Sequence, residues 1–401
     1  MFGRIAWLMC VVGSLACTGD KTSKKHPKTD TDTDTDSGAP EADLDCPESL
    51  ELGIESSTGC TTGEQVGSIE QWMGIPYAEP PIDELRFART VPVTPWTAPF
   101  PADEAGAICP QWWTDGATTT LVGDEDCLTL NIFRPAGTES TAMLPILFYT
   151  HGGSYTSGAG SLDAYALEPQ LAERAIVITH NYRLGPFGFF PHEDITEEDN
   201  DEYGDGGSSG NQGLFDSLTA LQWVVDNASA MGGDPSQLLV FGESAGGTTT
   251  CAFLASPLAE GMFSAAMIQS VGCGFMEWPL RDISGTDFTF SAEDYGDYIA
   301  NELDCYGGES LQCLRDIDAE DLMVSLAEYQ FSVNVDNVFL TAPAREAFGG
   351  GNFNQVPIFA GFNENEGVMF SGSMGVDTEA DLATFLQSYG ESLQLSEPAL
   401  L

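Results

Sequence analysis

The five residues Gly242–Gly246, which read Gly-Glu-Ser-Ala-Gly, constrain the fold of this chain more than any other segment. An apolar run, Leu238–Phe241, precedes them, and small helix-forming residues follow. The pattern predicts a strand that turns sharply into a helix with Ser244 at the turn, because a Cβ at either glycine would clash with the packed strand and helix. A serine held in this way at a strand end can act as a nucleophile.

A second match to the Gly-x-Ser-x-Gly pattern lies at Gly206–Gly210. It follows the acidic stretch Glu197–Glu202 instead of an apolar strand, and no helical pattern follows at once. Sequence rich in glycine and serine in such a setting is typical of a flexible loop. We therefore predict Ser244 as the nucleophile and Ser208 as a loop residue.

The charge of the chain excludes one class of partner. The net charge is −49, and from Asp45 onward 55 acidic residues accompany eight arginines and no lysine. Binding to phosphates requires a basic surface, so no nucleic-acid partner is expected. The acidity predicts a strongly solvated surface, and calcium binding by residues 193–205 is the alternative. We otherwise predict no cofactor and no metal site.

The N-terminal residues 1–17 predict a secretory signal peptide. Arg4 precedes an apolar run, Ile5–Ala16, which is too short to span a bilayer. The run ends before Cys17 in a sequence that resembles a bacterial lipoprotein cleavage site, although Ser14 stands where leucine is usual. Residues 18–44 are polar and contain Thr-Asp repeats, which predicts a disordered tether before a domain at 45–401. We expect an exported, bacterial protein that is either secreted or attached to the cell envelope only through a lipid on Cys17.

The cysteine content agrees with export. Eight cysteines remain after Cys10 and Cys17, and an even number in an exported chain predicts four disulfides. Zinc binding is the alternative, but the chain contains no Cys-x-x-Cys pair.

Apolar strand patterns alternate with helical patterns beyond residue 135, which favours a mostly parallel sheet. The predicted strands are Pro145–Tyr149, Ala175–Thr179, Leu238–Phe241, Ala265–Gln269 and Val356–Ala360, and a helix is predicted at Leu214–Asn227. Catalytic groups in such sheets lie beyond the C-terminal ends of the strands. Three of these ends carry suitable residues: His151-Gly152-Gly153, Ser244 and the segment Gly361–Gly367.

From about residue 50 to its end, the chain resembles the type-B carboxylesterase/cholinesterase family. The segments that carry the resemblance are long and occur in the family's order: Gly74–Ala78 with Leu85–Phe87, Glu125–Ile132, Asn181–Gly185, Gly210–Asp216, and Gly232–Pro235 leading to Ser244. The resemblance implies an α/β-hydrolase fold, with a mostly parallel central sheet and helices on both faces. It also implies hydrolysis of small-molecule carboxylic esters through an acyl-enzyme.

The resemblance assigns roles to individual residues. It implies Ser244 as nucleophile, Glu366 as the acid, and an oxyanion hole made by Gly152, Gly153 and Ala245. Glu243 would lie beside the nucleophile, and we predict Trp278 as a residue of the acyl pocket. The family's disulfides map to Cys109–Cys127 and Cys305–Cys313, and proximity in sequence suggests Cys46–Cys60 and Cys251–Cys273. The pairs Arg86–Glu125 and Arg183–Asp216 are similar to internal ion pairs of the family.

The catalytic base of the family is the one role without a matching residue. In this fold the order along the chain is serine, acid, histidine, yet none of the 35 residues after Glu366 is histidine. The histidines present are His26, His151, His180 and His192, and substitution by His180 or His192 is the alternative. We expect the 401 residues to be truncated, without the base and without the last strands of the sheet. A non-catalytic binding module of the same fold, or an inactive remnant, is the alternative function.

Overall fold

The computed structural model describes residues 46–47, 49–115, 118–162, 169–274, 277–284 and 288–367, together with residues 378 and 381. Residues 42–364 form one unit, and residues 1–41 and 365–401 belong to another. The predicted signal peptide, the Cys17 anchor and the tether lie in residues 1–45, outside the described residues.

The centre of the unit 42–364 is an eight-stranded sheet. The described strands are β1 (Gly53–Ser56), β2 (Gly59–Thr62), β3 (Glu64–Val66), β4 (Ile69–Pro76), β5 (Phe100–Pro101), β6 (Gln111–Asp115), β7 (Thr118–Val122), β8 (Thr129–Pro135), β9 (Leu144–Thr150), β10 (Ile176–His180), β11 (Gly233–Glu243), β12 (Ala265–Gln269), β13 (Trp278–Pro279), β14 (Asn334–Val335) and β15 (Ile358–Gly361). The described helices are α1 (Pro169–Ala172), α2 (Gly185–Phe189), α3 (Glu193–Tyr203), α4 (Gln212–Asn227), α5 (Ala245–Ala255), α6 (Ala292–Glu302), α7 (Ser310–Asp316), α8 (Ala319–Ser325) and α9 (Ala344–Gly350).

The strand order of the large sheet is β15-β12-β11-β9-β10-β8-β4-β3. The pairs from β15 to β10 are parallel, and β8, β4 and β3 add antiparallel pairs. The mostly parallel sheet is therefore confirmed, and all five predicted strands and the predicted helix are present, with ends that differ by at most a few residues apart from the longer β11. The core packs around large buried side chains such as Trp72, Phe148, Phe189 and Phe253.

The acidic stretch after His192, for which the sequence predicts a solvated surface and no helix, forms a helix, α3. His192 caps it by accepting the backbone N–H of Asp194, and the acidic residues of the first turn suit the positive end of the helix dipole. Gly204 ends the helix in the left-handed conformation, with φ of 68°. Buried Ile195 and the ion pair of Asp199 with Arg89 then attach the helix to the domain. Because its acidic residues bind partners within the protein, this stretch is more than a solvated surface.

Most of the arginines beyond Asp45 form ion pairs with carboxylates, and several of them are buried. The pairs are Arg86–Glu125, Arg89–Asp199, Arg89–Asp205, Arg134–Glu70, Arg183–Asp216, Arg281–Glu293, Arg315–Glu198 and, at a longer distance, Arg315–Glu84. The two pairs implied by the family resemblance are among them and are confirmed. Few positive charges remain for the surface, which therefore carries most of the excess of carboxylates. In the part of the chain that is described, no helix combines the length and apolar character needed to cross a bilayer.

All four expected disulfides are present. They join Cys46 to Cys60, Cys109 to Cys127, Cys251 to Cys273, and Cys305 to Cys313. The first two fasten the N-terminal strands and the β6–β7 hairpin, the third connects α5 with the segment after β12, and the fourth lies at α7. The described residues contain no group of His, Cys, Asp and Glu side chains able to hold a metal ion.

Candidate active site

Ser244 lies at the sharp turn between β11 and α5, as predicted. Its backbone has φ of 55° and ψ of −120°, a conformation that residues other than glycine rarely adopt. The Ser244 N–H donates to the carbonyl oxygen of Gln269 on β12 at 2.9 Å, and its own carbonyl accepts the Thr248 N–H. The side chain is half-buried, so it can be reached from solvent. Backbone strain of this kind at a serine that solvent can reach is a feature of nucleophilic sites.

The flanking glycines are required by the close approach of neighbouring backbone. A Cβ on Gly242 would overlap the backbone of Gly246, and a Cβ on Gly246 would overlap the carbonyl oxygen of Thr150 at the end of β9. Any larger residue would push the turn away from the strand beside it. The motif therefore sets the position of Ser244 relative to the end of β9.

The segment after β9 packs directly against this turn. A Cβ on Gly152 would lie 2.8 Å from Oε2 of Glu243 and 3.2 Å from Cβ of Ser244. Gly153 has φ of 106°, which favours glycine, and the next two residues also have positive φ. The predicted oxyanion segment and the predicted nucleophile are therefore neighbours, and Glu243 lies beside both.

Three backbone N–H groups at this junction have no acceptor among the described residues: those of Gly152, Gly153 and Ala245. Gly152 and Ala245 are buried. Buried N–H groups are nearly always paired, so unpaired ones close together next to a serine indicate a place for a negatively charged ligand atom. Ala245 is also the first residue of α5, whose dipole favours negative charge there.

Two residues to which the sequence assigned no role in the site hold the oxyanion segment in place. Gln111 on β6 bonds Gly158 twice, through its Nε2 to the Gly158 carbonyl at 2.9 Å and through its Oε1 from the Gly158 N–H at 2.8 Å. Gly158 in turn packs closely against the His151 ring and the Gly152 carbonyl. The Tyr182 hydroxyl donates to the carbonyl of His151 at 2.9 Å. Gln111 has no local signal in the sequence, and Tyr182 belongs to the family segment Asn181–Gly185 without a sign of this role, because each acts on a segment far away in the chain.

His151 and His180 are buried supports of the core. The His151 Nδ1–H donates to the Gly152 carbonyl at 2.8 Å, and the ring stacks on Tyr182. His180 stacks on Phe148, and its Nε2 lies 3.1 Å from the Ser217 hydroxyl. Burial lowers the pKa of His151 to about 4 and that of His180 to about 3, so both are neutral at physiological pH.

The lowered pKa of His180 predicts a pH-dependent stability. The unfolded chain binds a proton on this residue below about pH 6.5, whereas the folded chain does not until about pH 3. The contribution of the neutral His180 ring to the free energy of unfolding is therefore complete above pH 6.5 and decreases as the pH falls. When the pH is lowered from about 7.5 to 5, the natural chain should therefore lose about 2 kcal/mol of its free energy of unfolding through His180. The His180→Gln variant should lack this loss, so its stability should rise by that amount relative to the natural chain. Guanidinium titrations of both proteins at the two pH values measure this difference, and a difference independent of pH would contradict it.

His192, the other histidine proposed as a substitute base, forms a serine–histidine–carboxylate contact away from Ser244. Its Nε2 lies 3.1 Å from the Ser310 hydroxyl and 3.4 Å from Asp297. The Nδ1 accepts the Asp194 N–H, so in the neutral ring the proton is on Nε2. Nε2 must then donate to Ser310, whose hydroxyl donates to the Cys305 carbonyl, and it cannot remove a proton from that serine. This contact joins α3 to α7 and is structural.

The second motif match, at Ser208, is a loop as predicted, but a buried one. Its hydroxyl donates to Asp336 at 2.5 Å, and its backbone N–H donates to Asp199. Asp336 also accepts the N–H groups of Val338, Phe339 and Leu340. Ser208 is thus part of a packed polar network and has a structural role.

Two predicted residues remain, Glu366 and Trp278. Glu366 lies in a turn in the second unit, so its pairing with Ser244 stays a prediction. Trp278 packs in an aromatic cluster with Phe288, Phe290 and Tyr295. Its place in an acyl pocket also stays a prediction.

Comparison with known proteins identifies the family of the chain. The model of the carboxylesterase family matches residues 52–396. The para-nitrobenzyl esterase of Bacillus subtilis (strain 168) is 33% identical over 334 residues, which are 79% of this chain and 63% of that protein. The fumonisin B1 esterase of Sphingopyxis macrogoltabida is 30% identical over 85% of this chain and 61% of its own length. The crystal structure of a Geobacillus stearothermophilus carboxylesterase superposes with a TM-score of 0.70 at 28% identity, covering 84% of this chain and 69% of that one. This chain thus matches less than two thirds of the length of these two curated relatives.

Proposed function

We propose, from the premise that this chain belongs to the carboxylesterase family, that it hydrolyses small-molecule carboxylic esters with Ser244 as the nucleophile. The observation that carries the proposal is the junction of Ser244 with three backbone N–H groups that find no acceptor in the part of the chain that is described. Attack of the serine oxygen on an ester carbonyl places a negative charge on the carbonyl oxygen. The N–H groups of Gly152, Gly153 and Ala245 are suited to stabilise that charge, and removal of one such donor typically lowers kcat by about 10² to 10³.

The reaction then proceeds in two stages. The serine oxygen forms a bond to the carbonyl carbon, the bond to the alkoxy group breaks, and the alcohol leaves with a proton. Water hydrolyses the acyl-serine in the second stage, which releases the acid and restores Ser244. In this proposal Glu366 is the acid that orients the base, and Glu243 supplies a negative charge beside the serine.

The proposal assigns the base to no residue described here. His180 and His192 are bonded to Ser217 and Ser310, and His151 holds the Gly152 carbonyl. A base must lie within hydrogen-bonding distance of the serine hydroxyl, and no described residue forms a hydrogen bond with that hydroxyl. The second candidate is a non-catalytic binding module with the same fold. The observation that favours it is that no described residue is placed as a base for Ser244.

Covalent labelling separates the two candidates. The protein is incubated with a fluorophosphonate probe, digested, and examined by mass spectrometry. In a form of the protein that carries the base we expect one label per chain, on Ser244 and not on Ser208, and no label after prior unfolding. The 401 residues without the base should be labelled weakly or not at all, and absence of a label from Ser244 in both forms would overturn the proposal and favour the binding role.

We also propose that the protein is exported. The support is the set of four disulfides, since such bonds persist in oxidising compartments. Attachment to a membrane would then depend on a lipid on Cys17.

A further inference from the structure

The segment after β12 begins level with the nucleophile. Glu243 and Gln269 are paired in the parallel register of β11 and β12, so Ser244 and Ser270 leave neighbouring strand ends together. Ligands of such sheets bind beyond the C-terminal ends of the strands. Residues 270–274, which we name the β12 loop, therefore border the space that a substrate of Ser244 would occupy.

The beginning of the β12 loop is held by packing and hydrogen bonds. Val271 is buried, and its side chain is so close to α5 that a Cβ on Gly247 would lie 2.6 Å from it. Gly247 lies two residues after Ala245, in the first turn of the helix. The Ser270 N–H donates to the Gly361 carbonyl at 2.8 Å.

The end of the β12 loop has a different restraint. Gly272 and Gly274 are exposed, and a Cβ on either would meet no atom within 4 Å. Glycines without contacts leave the backbone many conformations. Cys273, between them, is bonded to Cys251, which is buried in the second turn of α5. The disulfide thus ties this glycine-rich end to the helix that begins at Ser244.

We infer that the Cys251–Cys273 disulfide is a positioning element that fixes the β12 loop as one wall of the ester site and thereby limits the size of the group accepted there. This inference rests on the proposed function of Ser244. The bridge touches no reacting atom, so its loss should change which esters bind more than it changes the chemical step. With the loop released, long acyl chains should gain access relative to short ones.

The experiment compares p-nitrophenyl acetate with p-nitrophenyl octanoate. In the double variant Cys251→Ala/Cys273→Ala we expect the ratio of kcat/KM for octanoate over acetate to rise about tenfold, mainly through KM, with kcat for acetate within about threefold of the natural protein. The matched control is Cys46→Ala/Cys60→Ala, which removes a disulfide of the N-terminal strands. The control should lose stability too, but its ratio should stay within about twofold.

Each outcome decides the matter. An unchanged ratio in the Cys251/Cys273 variant, or the same change in the control, overturns the inference while the proposed function stands. Failure of a form that carries the base to hydrolyse either ester and to bind the fluorophosphonate overturns the proposed function. If the double variant does not fold, Cys273→Ser, which removes the bridge and leaves the buried Cys251 thiol in place, should raise the ratio in the same direction, and an unchanged ratio overturns the inference.

Discussion

In a form of the protein that carries the catalytic base, replacing Ser244 by alanine should lower kcat for p-nitrophenyl acetate by about four to six powers of ten, as removal of a serine nucleophile does in other hydrolases. The methyl group cannot form the acyl intermediate, while the N–H groups of Gly152, Gly153 and Ala245 remain to bind the carbonyl oxygen. KM should therefore change little compared with kcat. Initial rates over a range of ester concentrations give both constants.

Ser208→Ala is the control for that substitution, because it changes the serine of the same five-residue pattern elsewhere in the chain. It removes the hydrogen bond to Asp336 and should cost about 1 to 2 kcal/mol of stability. The kcat of the folded protein should stay unchanged. Equal activity of the Ser244→Ala and natural proteins would show that any hydrolysis comes from another group.

The largest effect on stability should come from Asp216→Asn. The carboxylate is fully buried in α4 and accepts from the side chain and backbone N–H of Arg183 and from the Thr90 hydroxyl. Without it the guanidinium, whose side chain is only 3% exposed, is left as an unpaired buried charge. We expect a loss of about 3 to 5 kcal/mol in the free energy of unfolding, measured by guanidinium denaturation.

Glu84→Gln provides the comparison at an exposed pair. Glu84 lies 3.8 Å from Arg315, and its side chain is 80% exposed. Solvent screens such a pair, so the change should be below about 0.5 kcal/mol. A loss of similar size in both variants would mean that burial does not govern the strength of these ion pairs.

The parts of the site that follow from sequence are those governed by contacts between near neighbours in the chain. The glycines around Ser244 and the segment from His151 to Gly153 carry their backbone requirements in their own identity, so the turn and the oxyanion segment could both be predicted. The alternation of apolar strand patterns with helical patterns predicted the five parallel strands for the same reason. The disulfides also join cysteines close in sequence.

Other features depend on contacts between distant segments and could not be predicted. Gln111 supports the oxyanion segment across 47 residues of chain, and nothing near Gln111 in sequence signals this role. The helix α3 was missed because its acidic composition indicates a solvated segment, whereas Arg89, more than a hundred residues earlier, binds Asp199 on it. Ser208 is likewise buried against Asp336, which lies 128 residues later in the chain.

The four disulfides have a consequence for how the protein is made. Their cysteines are separated by 14, 18, 22 and 8 residues, and each pair is complete before the next begins. As the chain emerges during synthesis or translocation, every cysteine therefore meets its native partner before the first cysteine of the following pair appears. Oxidation in order of emergence yields the native set, and no later exchange between bonds is needed to reach it.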